Sequence, residues 1–220
     1  MNPTLIWLTL GWLAFFALHS LLASLAVKRA VAARWPAALP WYRLFYNLVA
    51  VATLAPLLWF TLTAGGEPVL EWRGPWRWLA NGLAVLAVVG FLWSLRWYDG
   101  AEFLGLRQLT RRSRVVEDQE RFCISPLHRW VRHPWYALGL VLLWTRDLTA
   151  AELLATVLAS AYFILGSRLE ERKLRLYHGP VYDHYCERVP GLLPRPWRRL
   201  SAEEARRLER RARGAGHQTG

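Results

Sequence analysis

Residues 5–27 read LIWLTLGWLAFFALHSLLASLAV, and this stretch decides the fold. It is apolar on every face of any helix it forms. Its length matches the roughly 20 residues a helix needs to cross about 30 Å of hydrocarbon. Two further blocks repeat the pattern, Leu44–Ala64 and Trp76–Leu95. A hydrophobic content of 54% by itself also fits a compact soluble domain, so it is the gathering of apolar residues into such blocks that places the chain in a bilayer. The first block has no basic segment ahead of it and runs out at His19, Ser20 and then Lys28-Arg29, with no small-residue cleavage site. It therefore predicts a retained span rather than a secretory peptide.

Working outward, Pro36 and Pro40 break the chain after the first block, and Gly65-Gly66-Glu67-Pro68 ends the second. The third contains Gly82 and Gly90 and ends at Arg96-Trp97-Tyr98-Asp99. Residues 99 to 132 carry charges of both signs and predict an extramembrane segment with some interfacial helix. After Pro134 a short apolar run of ten residues, Trp135–Trp144, is closed by Arg146-Asp147; with Trp130 and Val131 added it barely reaches across the bilayer, as the short member of a pair that tilts or starts below the surface. A last run, Leu148–Gly166, faces it across a tight loop, with Glu152 at the far interface. The expected fold class is therefore all-α: a polytopic membrane protein with five transmembrane helices, the last two forming a hairpin, followed by a cytoplasmic carboxy-terminal cap. Three regions are expected, an amino-terminal three-helix membrane region over 1–98, a core with hairpin and cap over 99–200, and a charged, flexible tail over 201–220.

Charge sets the expected orientation. Segment 28–43 holds Lys28, Arg29, Arg34 and Arg43 with no acid, whereas in 65–77 Glu67 and Glu71 balance Arg73 and Arg77. Basic residues dominate again in 96–133 and from Arg168 onward. With five spans, the positive-inside rule puts the N-terminus outside and the C-terminus in the cytoplasm, in the cell inner membrane. Fourteen tryptophans, among them Trp7, Trp41, Trp59, Trp76, Trp97, Trp130 and Trp144 near span ends, fit an interfacial belt. The Arg-rich, Glu-rich stretch from Ser201 predicts a solvated helix that frays, with attraction to anionic lipid.

Composition also removes several classes. The net charge of +12 is spread among acids and interrupted by apolar blocks, so it forms no nucleic-acid face. Cys123 and Cys186 lie in different segments and make no CxxC pair, which reads as two free thiols. His178 and His184 with acidic neighbours do not amount to a metal set, and no GxSxG, HExxH or glycine-rich phosphate loop is present.

Two polar clusters remain. Arg132-His133-Pro134-Trp135-Tyr136 opens a helix, because Pro134 suits a first turn where its missing amide is no loss. The free amides and dipole of that turn, with Arg132 and His133, can hold a carboxylate or phosphate; an ordinary interfacial helix start, with Arg snorkelling and Tyr anchoring, explains the pattern as well. Arg168-Leu169-Glu170-Glu171-Arg172-Lys173-Leu174 follows the last span and fits either a site or a charge-laced solvated helix, with Arg168 and Glu171 on one face if the helix continues. The hairpin is expected to bring Arg132, His133, Glu170 and Glu171 to one depth of the membrane, which favours a site. His178-Gly179-Pro180-Val181-Tyr182-Asp183-His184-Tyr185 and Val189-Pro190-Gly191-Leu192-Leu193-Pro194 then read either as a cap over it, with Tyr182 and Tyr185 projecting together, or as interfacial packing. Near the amino end His19, Ser20, Tyr46 and Asn47 either line the same cavity or bond helix to helix.

These motifs, in this order, resemble the membrane methyltransferases related to isoprenylcysteine carboxyl methyltransferase. Within that superfamily, Phe16-Ala17-Leu18-His19-Ser20-Leu21-Leu22-Ala23-Ser24 with Lys28-Arg29, and Phe103-Leu104-Gly105-Leu106-Arg107-Gln108, are similar to the branch of methanethiol S-methyltransferases and NnrU-like proteins. The resemblance runs over roughly residues 12 to 194. It implies S-adenosyl-L-methionine bound at the cytoplasmic face by the carboxy-terminal region, and methyl transfer to a small thiol or related lipophilic acceptor in contact with membrane lipid. Prenylcysteine or lipid methylation, and a non-catalytic membrane component, are the alternatives. By the resemblance, His133 and Tyr136 match the cofactor motif, Glu170-Glu171 the acidic pair, and Tyr182, Tyr185 and Pro190 the wrapping segment. His178 stands where the family commonly has Phe, and Arg168 matches no prenyl-site arginine. On this reading Arg132 and Arg168 favour a thiolate, Glu170 or Glu171 holds the cofactor's ammonium or accepts a proton, and Tyr136 and Tyr182 attract the sulfonium. His19 and Asn47 are the candidate substrate cavity, and no metal is expected.

Overall fold

The computed structural model describes residues 2–112 and 122–216, with side chains to residue 213. Part of the extramembrane segment expected over 99–132, and the last four residues of the tail, lie outside the described residues. The chain forms two compact units interleaved along the sequence. One comprises Met1–Trp76, Tyr98–Asp118 and Arg146–Ala159, the other Arg77–Trp97, Gln119–Thr145 and Ser160–Gly220.

Among the described residues, four helical segments are long and apolar enough to cross a membrane: Pro3–Ala23, Pro36–Thr63, Pro75–Trp97 and Ala150–Arg188. The protein is a multi-pass membrane protein. This corrects the five spans expected from sequence. The helix Pro134–Trp144 has 11 residues, which at 1.5 Å per residue is about 16 Å, half of the hydrocarbon core. Trp130 and Val131 do not extend it: they lie in the turn after a 3-10 segment, Leu127–Arg129, and Pro134 fixes the helix start. At the other end the chain becomes extended at Leu148–Thr149. The placing of the two ends on opposite sides was drawn from an odd number of crossings and loses that basis.

In the first unit, α1 (Pro3–Ala23) packs against α3 (Tyr42–Thr63), with α2 (Leu25–Arg34) between them in sequence. Gly11 permits the close approach, since a Cβ there would lie 2.9 Å from Leu57 Cδ1. Polar groups join the two helices where lipid offers no partner: Trp12 Nε1 donates to Thr61 Oγ1 at 3.2 Å, and the Tyr42 hydroxyl donates to the Leu22 carbonyl at 2.6 Å. The short helices α5 (Gly100–Leu104) and α6 (Leu106–Thr110) meet at Gly105, whose φ of +88° and 2.8 Å approach of a built Cβ to Leu44 N leave no room for a side chain. β1 (Pro68–Leu70) pairs antiparallel with β2 (Leu148–Thr149), and Trp72 N donates to Asp147 Oδ1 at 2.8 Å.

In the second unit, α4 (Pro75–Ser94), α7 (Pro134–Trp144) and the later part of α8 (Ala150–Arg188) pack together. Trp135 Nε1 donates to Ser94 Oγ at 2.8 Å, and its ring lies 5.0 Å from that of Phe91. α7 runs antiparallel to α8: Trp144 bonds Ser160, Gly139 faces Phe163, and Tyr136 reaches Glu170. α8 continues well past Gly166, the expected end of its span, and is broken at Gly179, whose φ is +52° and which precedes Pro180. Beyond the break, Tyr182, Tyr185 and Val189 join Ile124, Leu200, Ala205 and Leu208 in a buried core. α9 (Ala202–Gly216) thus docks through Ala205 and Leu208.

Candidate functional site

The site begins with Pro134. Because it opens α7, His133 sits at the N-cap position and Arg132 just before it. Both backbones are held by the segment that follows α8: Arg132 N donates to the Pro190 carbonyl at 2.9 Å, and His133 N to that of Gly191 at 3.1 Å. Two amides that no helix would satisfy are thereby paired, and Pro190 is fixed beside the start of α7.

The Arg132 side chain is fully employed. Its Nε and Nη2 donate to Glu171 Oε1 at 2.9 and 2.8 Å, while Nη1 donates to the carbonyls of Cys186, at 3.1 Å, and Val189. His133 Nε2 lies 3.1 Å from the same Glu171 oxygen. Three donors therefore converge on one carboxylate oxygen, and the Glu171 side chain is only 11% exposed. Glu170 differs. Its side chain is 49% exposed, and Oε2 accepts from the Tyr136 hydroxyl at 3.4 Å and faces His133 Nδ1 at 3.5 Å.

His133 is therefore an imidazole between two carboxylates. Burial pushes its pKa down, but its hydrogen bonds to the Glu170 and Glu171 carboxylates outweigh that, and the net value lies above the ordinary 6.5. His128 goes the other way, down to about 4, through burial first and the neighbouring His133 charge second, against the pull of Glu170. Its Nδ1 lies 2.7 Å from Ser125 Oγ. Aromatic faces extend the cluster along the α7 and α8 pair: Tyr136 stacks on His133 at 5.5 Å and on Phe163 at 5.1 Å, with interplanar angles of 10° and 4°.

The structure thus brings Arg132, His133, Tyr136, Glu170, Glu171 and Pro190 together. Arg168 is exposed and makes no ion pair or hydrogen bond among the described residues. Tyr182 and Tyr185 lie inside the cap core, 2% and 3% exposed, and the Tyr185 hydroxyl donates to the His128 carbonyl at 2.5 Å. His19 and Asn47 belong to the first unit. There the Tyr46 hydroxyl lies 2.6 Å from His19 Nε2, and Asn47 Nδ2 donates to the Phe103 carbonyl at 3.0 Å. No group of His, Cys, Asp and Glu suited to a metal ion occurs among the described residues.

Sequence reasoning missed Phe163 and the carbonyl acceptors of Arg132. The signal for Phe163 was Gly139, a small residue in a short apolar run: a Cβ there would stand 3.1 Å from Phe163 Cε2. The carbonyls carry no side-chain signature.

Chemically, the arrangement offers one open carboxylate, a stacked ring with a hydroxyl, and a protonatable imidazole, all at the mouth of a helix in a membrane protein. That combination suits a cationic group and a partner that gives up a proton. No family model matches the chain, and no solved structure resembles it significantly. Proteins of assigned function do. It is 33% identical over 193 residues to a methanethiol S-methyltransferase of Pseudomonas sp. strain GM41, a match covering 82% of this chain and 70% of the relative. It is 29% identical over 200 residues to methanethiol S-methyltransferase 2 of Bradyrhizobium diazoefficiens, covering 84% and 74%. A methanethiol S-methyltransferase of Crocosphaera subtropica shares 31% over 98 residues, covering 42% of this chain and 37% of the relative. On the extent and identity of the first of these matches, the chain belongs to the methanethiol S-methyltransferase family.

Proposed function

We propose that this protein is a membrane methyltransferase that carries a methyl group from S-adenosyl-L-methionine to a small thiol at the cytoplasmic face. The observation that carries the reading is family membership together with the division of the acidic pair at the head of α7. One carboxylate, Glu171, is spent on structure, and the other, Glu170, remains open beside His133 and Tyr136. The basic segment from Arg168 onward supports the cytoplasmic side for this end of α8.

The donor set fits the cofactor. An open carboxylate suits an ammonium, and the face of Tyr136 suits a sulfonium. When bound, S-adenosyl-L-methionine supplies a methyl group on a positively charged sulfur. The chain's own residues have three tasks. Arg132, His133 and Glu171 hold the start of α7 and the Pro190-Gly191 segment in register, which fixes the direction in which Glu170 and Tyr136 present their oxygens. Glu170 Oε2 is placed to hold the cationic end or to take the proton of the thiol, and His133 Nδ1 stands beside it to share that proton. Arg168, exposed two residues earlier, favours the thiolate, which is the reactive form. Tyr182 and Tyr185 serve by packing the cap that carries Val189 and Pro190.

The test is transfer of labelled methyl from S-adenosyl-L-methionine by the purified full chain, with methanethiol, longer alkanethiols and a prenylcysteine as acceptors. The expected result is a volatile methyl sulfide from the small thiol, lost in Glu170→Gln. Cofactor binding without transfer to any thiol overturns the acceptor class, and absence of cofactor binding by folded protein overturns the reading.

A further inference from the structure

The segment between the cap and α9 exposes large apolar side chains from a backbone that is pinned at both ends. Leu193 is 72% and Trp197 80% exposed, although each lies within a few residues of buried anchors. On the amino side, the carbonyls of Pro190 and Gly191 accept from the amides of Arg132 and His133. On the carboxy side, Arg198 Nη2 donates to the carbonyls of Cys186, at 3.4 Å, and Glu187. Leu200 is buried, its amide donates to the Arg129 carbonyl at 3.0 Å, and Arg129 Nε donates to the Leu200 carbonyl at 3.1 Å. Pro194 and Pro196 stiffen the span between. The exposure of Leu193 and Trp197 is thus imposed by a fixed frame.

Two observations say what covers them. The first is depth. Gly191 stands beside Glu171, with a built Cβ 3.8 Å from Oε1, so this segment leaves the site level with the point where α8 changes from apolar to charged residues. α8 is one of the span-length helices among the described residues, and the end of its apolar run is the level that suits a boundary between hydrocarbon and headgroups. The second is chemistry. Arg195 and Arg199 are exposed on either side of Trp197, and the guanidinium of Arg199 lies over the Trp130 ring at 4.5 Å. Tryptophan and leucine flanked by arginines match an interface in which rings and methyls sit among acyl carbonyls and the cations meet anionic phosphates.

We infer that the Leu193–Trp197 segment is a membrane anchor, inserted into the anionic headgroup layer of the bilayer that the protein spans. Because Pro190 and Gly191, just ahead of it, accept from the amides of Arg132 and His133, insertion tethers the segment beside the site to the lipid surface. The inference stands independently of the methyl acceptor.

The experiment is hydroxyl-radical footprinting of the unmodified full chain in nanodiscs of phosphatidylcholine with one quarter phosphatidylglycerol, read by peptide mass spectrometry. The reference in the same sample is a free peptide of residues 192–199. Protection of Trp197 by threefold or more is expected, whereas the fold of the single chain leaves that residue 80% exposed. Less than threefold protection overturns the anchor. The double variant Arg195→Glu, Arg199→Glu separates lipid from a second copy of the chain. Loss of protection in anionic nanodiscs is expected; protection that is unchanged by charge reversal and by omission of phosphatidylglycerol overturns the headgroup assignment.

Discussion

Arg132 and Glu171 are joined by two converging hydrogen bonds, Nε and Nη2 of the guanidinium both donating to Oε1 at 2.9 and 2.8 Å, with both side chains largely withdrawn from solvent. The remaining Arg132 nitrogen holds the carbonyls of Cys186 and Val189, so the pair ties the start of α7, the exit of α8 and the cap into one knot. Breaking a buried pair strands a charge, at a cost of about 3–5 kcal/mol. Arg132→Ala and Glu171→Gln are therefore each expected to lower thermal stability in detergent by several degrees or to prevent folding. Arg132→Lys does not rescue, because an ammonium cannot supply the forked geometry. Wild-type melting of either variant would show that the knot is dispensable.

The two adjacent glutamates should separate in their effects. Glu170 is half exposed and meets Tyr136 and His133 at 3.4–3.5 Å. Glu170→Gln should leave the melting temperature close to the parent while methyl transfer falls by about 100-fold or more, the usual contribution of a positioned proton-transfer group. Turnover within a few-fold of the parent, in protein of unchanged stability, would remove Glu170 from the reaction.

Stability should decline on both sides of neutrality for different histidines. His133, with its pKa raised by the two carboxylates, contributes stability that is complete below 6.5 and lost as pH rises through its higher folded value. His128, pushed down to about 4, is held neutral in the fold, so its contribution is present above 6.5 and drains away as pH falls toward 4. Melting curves across pH 4 to 9 should show a smaller acid loss in His128→Gln and a smaller alkaline loss in His133→Gln than in the parent. Superimposable pH profiles for parent and variants would contradict both assignments.

Gly139 is the contact through which α7 lies close to α8. A Cβ at 3.1 Å from Phe163 Cε2 forces that ring to move, and the ring is stacked on Tyr136. Gly139→Ala should destabilise by about 1–3 kcal/mol, as overpacking does. Gly139→Ala combined with Phe163→Leu should recover part of the loss, giving a non-additive cycle in thermal unfolding. Strict additivity would place the strain elsewhere.

Membrane residence was legible from the sequence because it depends on the sum of apolar side chains over a length, and Leu5–Val27 or Leu44–Ala64 carry that sum locally. The start of α7 was legible for a similar reason: proline lacks an amide, so Pro134 marks a first turn wherever the helix lies. The count of spans was not. Whether Trp135–Trp144 continues across depends on the turn before it and the extended Leu148–Thr149 after it, and the pairing of the latter with Pro68–Leu70 is a contact between residues far apart in the chain. The roles of Glu170 and Glu171 were equally closed to sequence. Neighbours on a helix point about 100° apart, so only the packing of α8 against α7 and the cap decides which carboxylate turns inward to Arg132 and which stays open. Local composition set the solvent of this protein and the residue types at its site, while tertiary packing set their directions, because direction is a property of the neighbours a side chain meets.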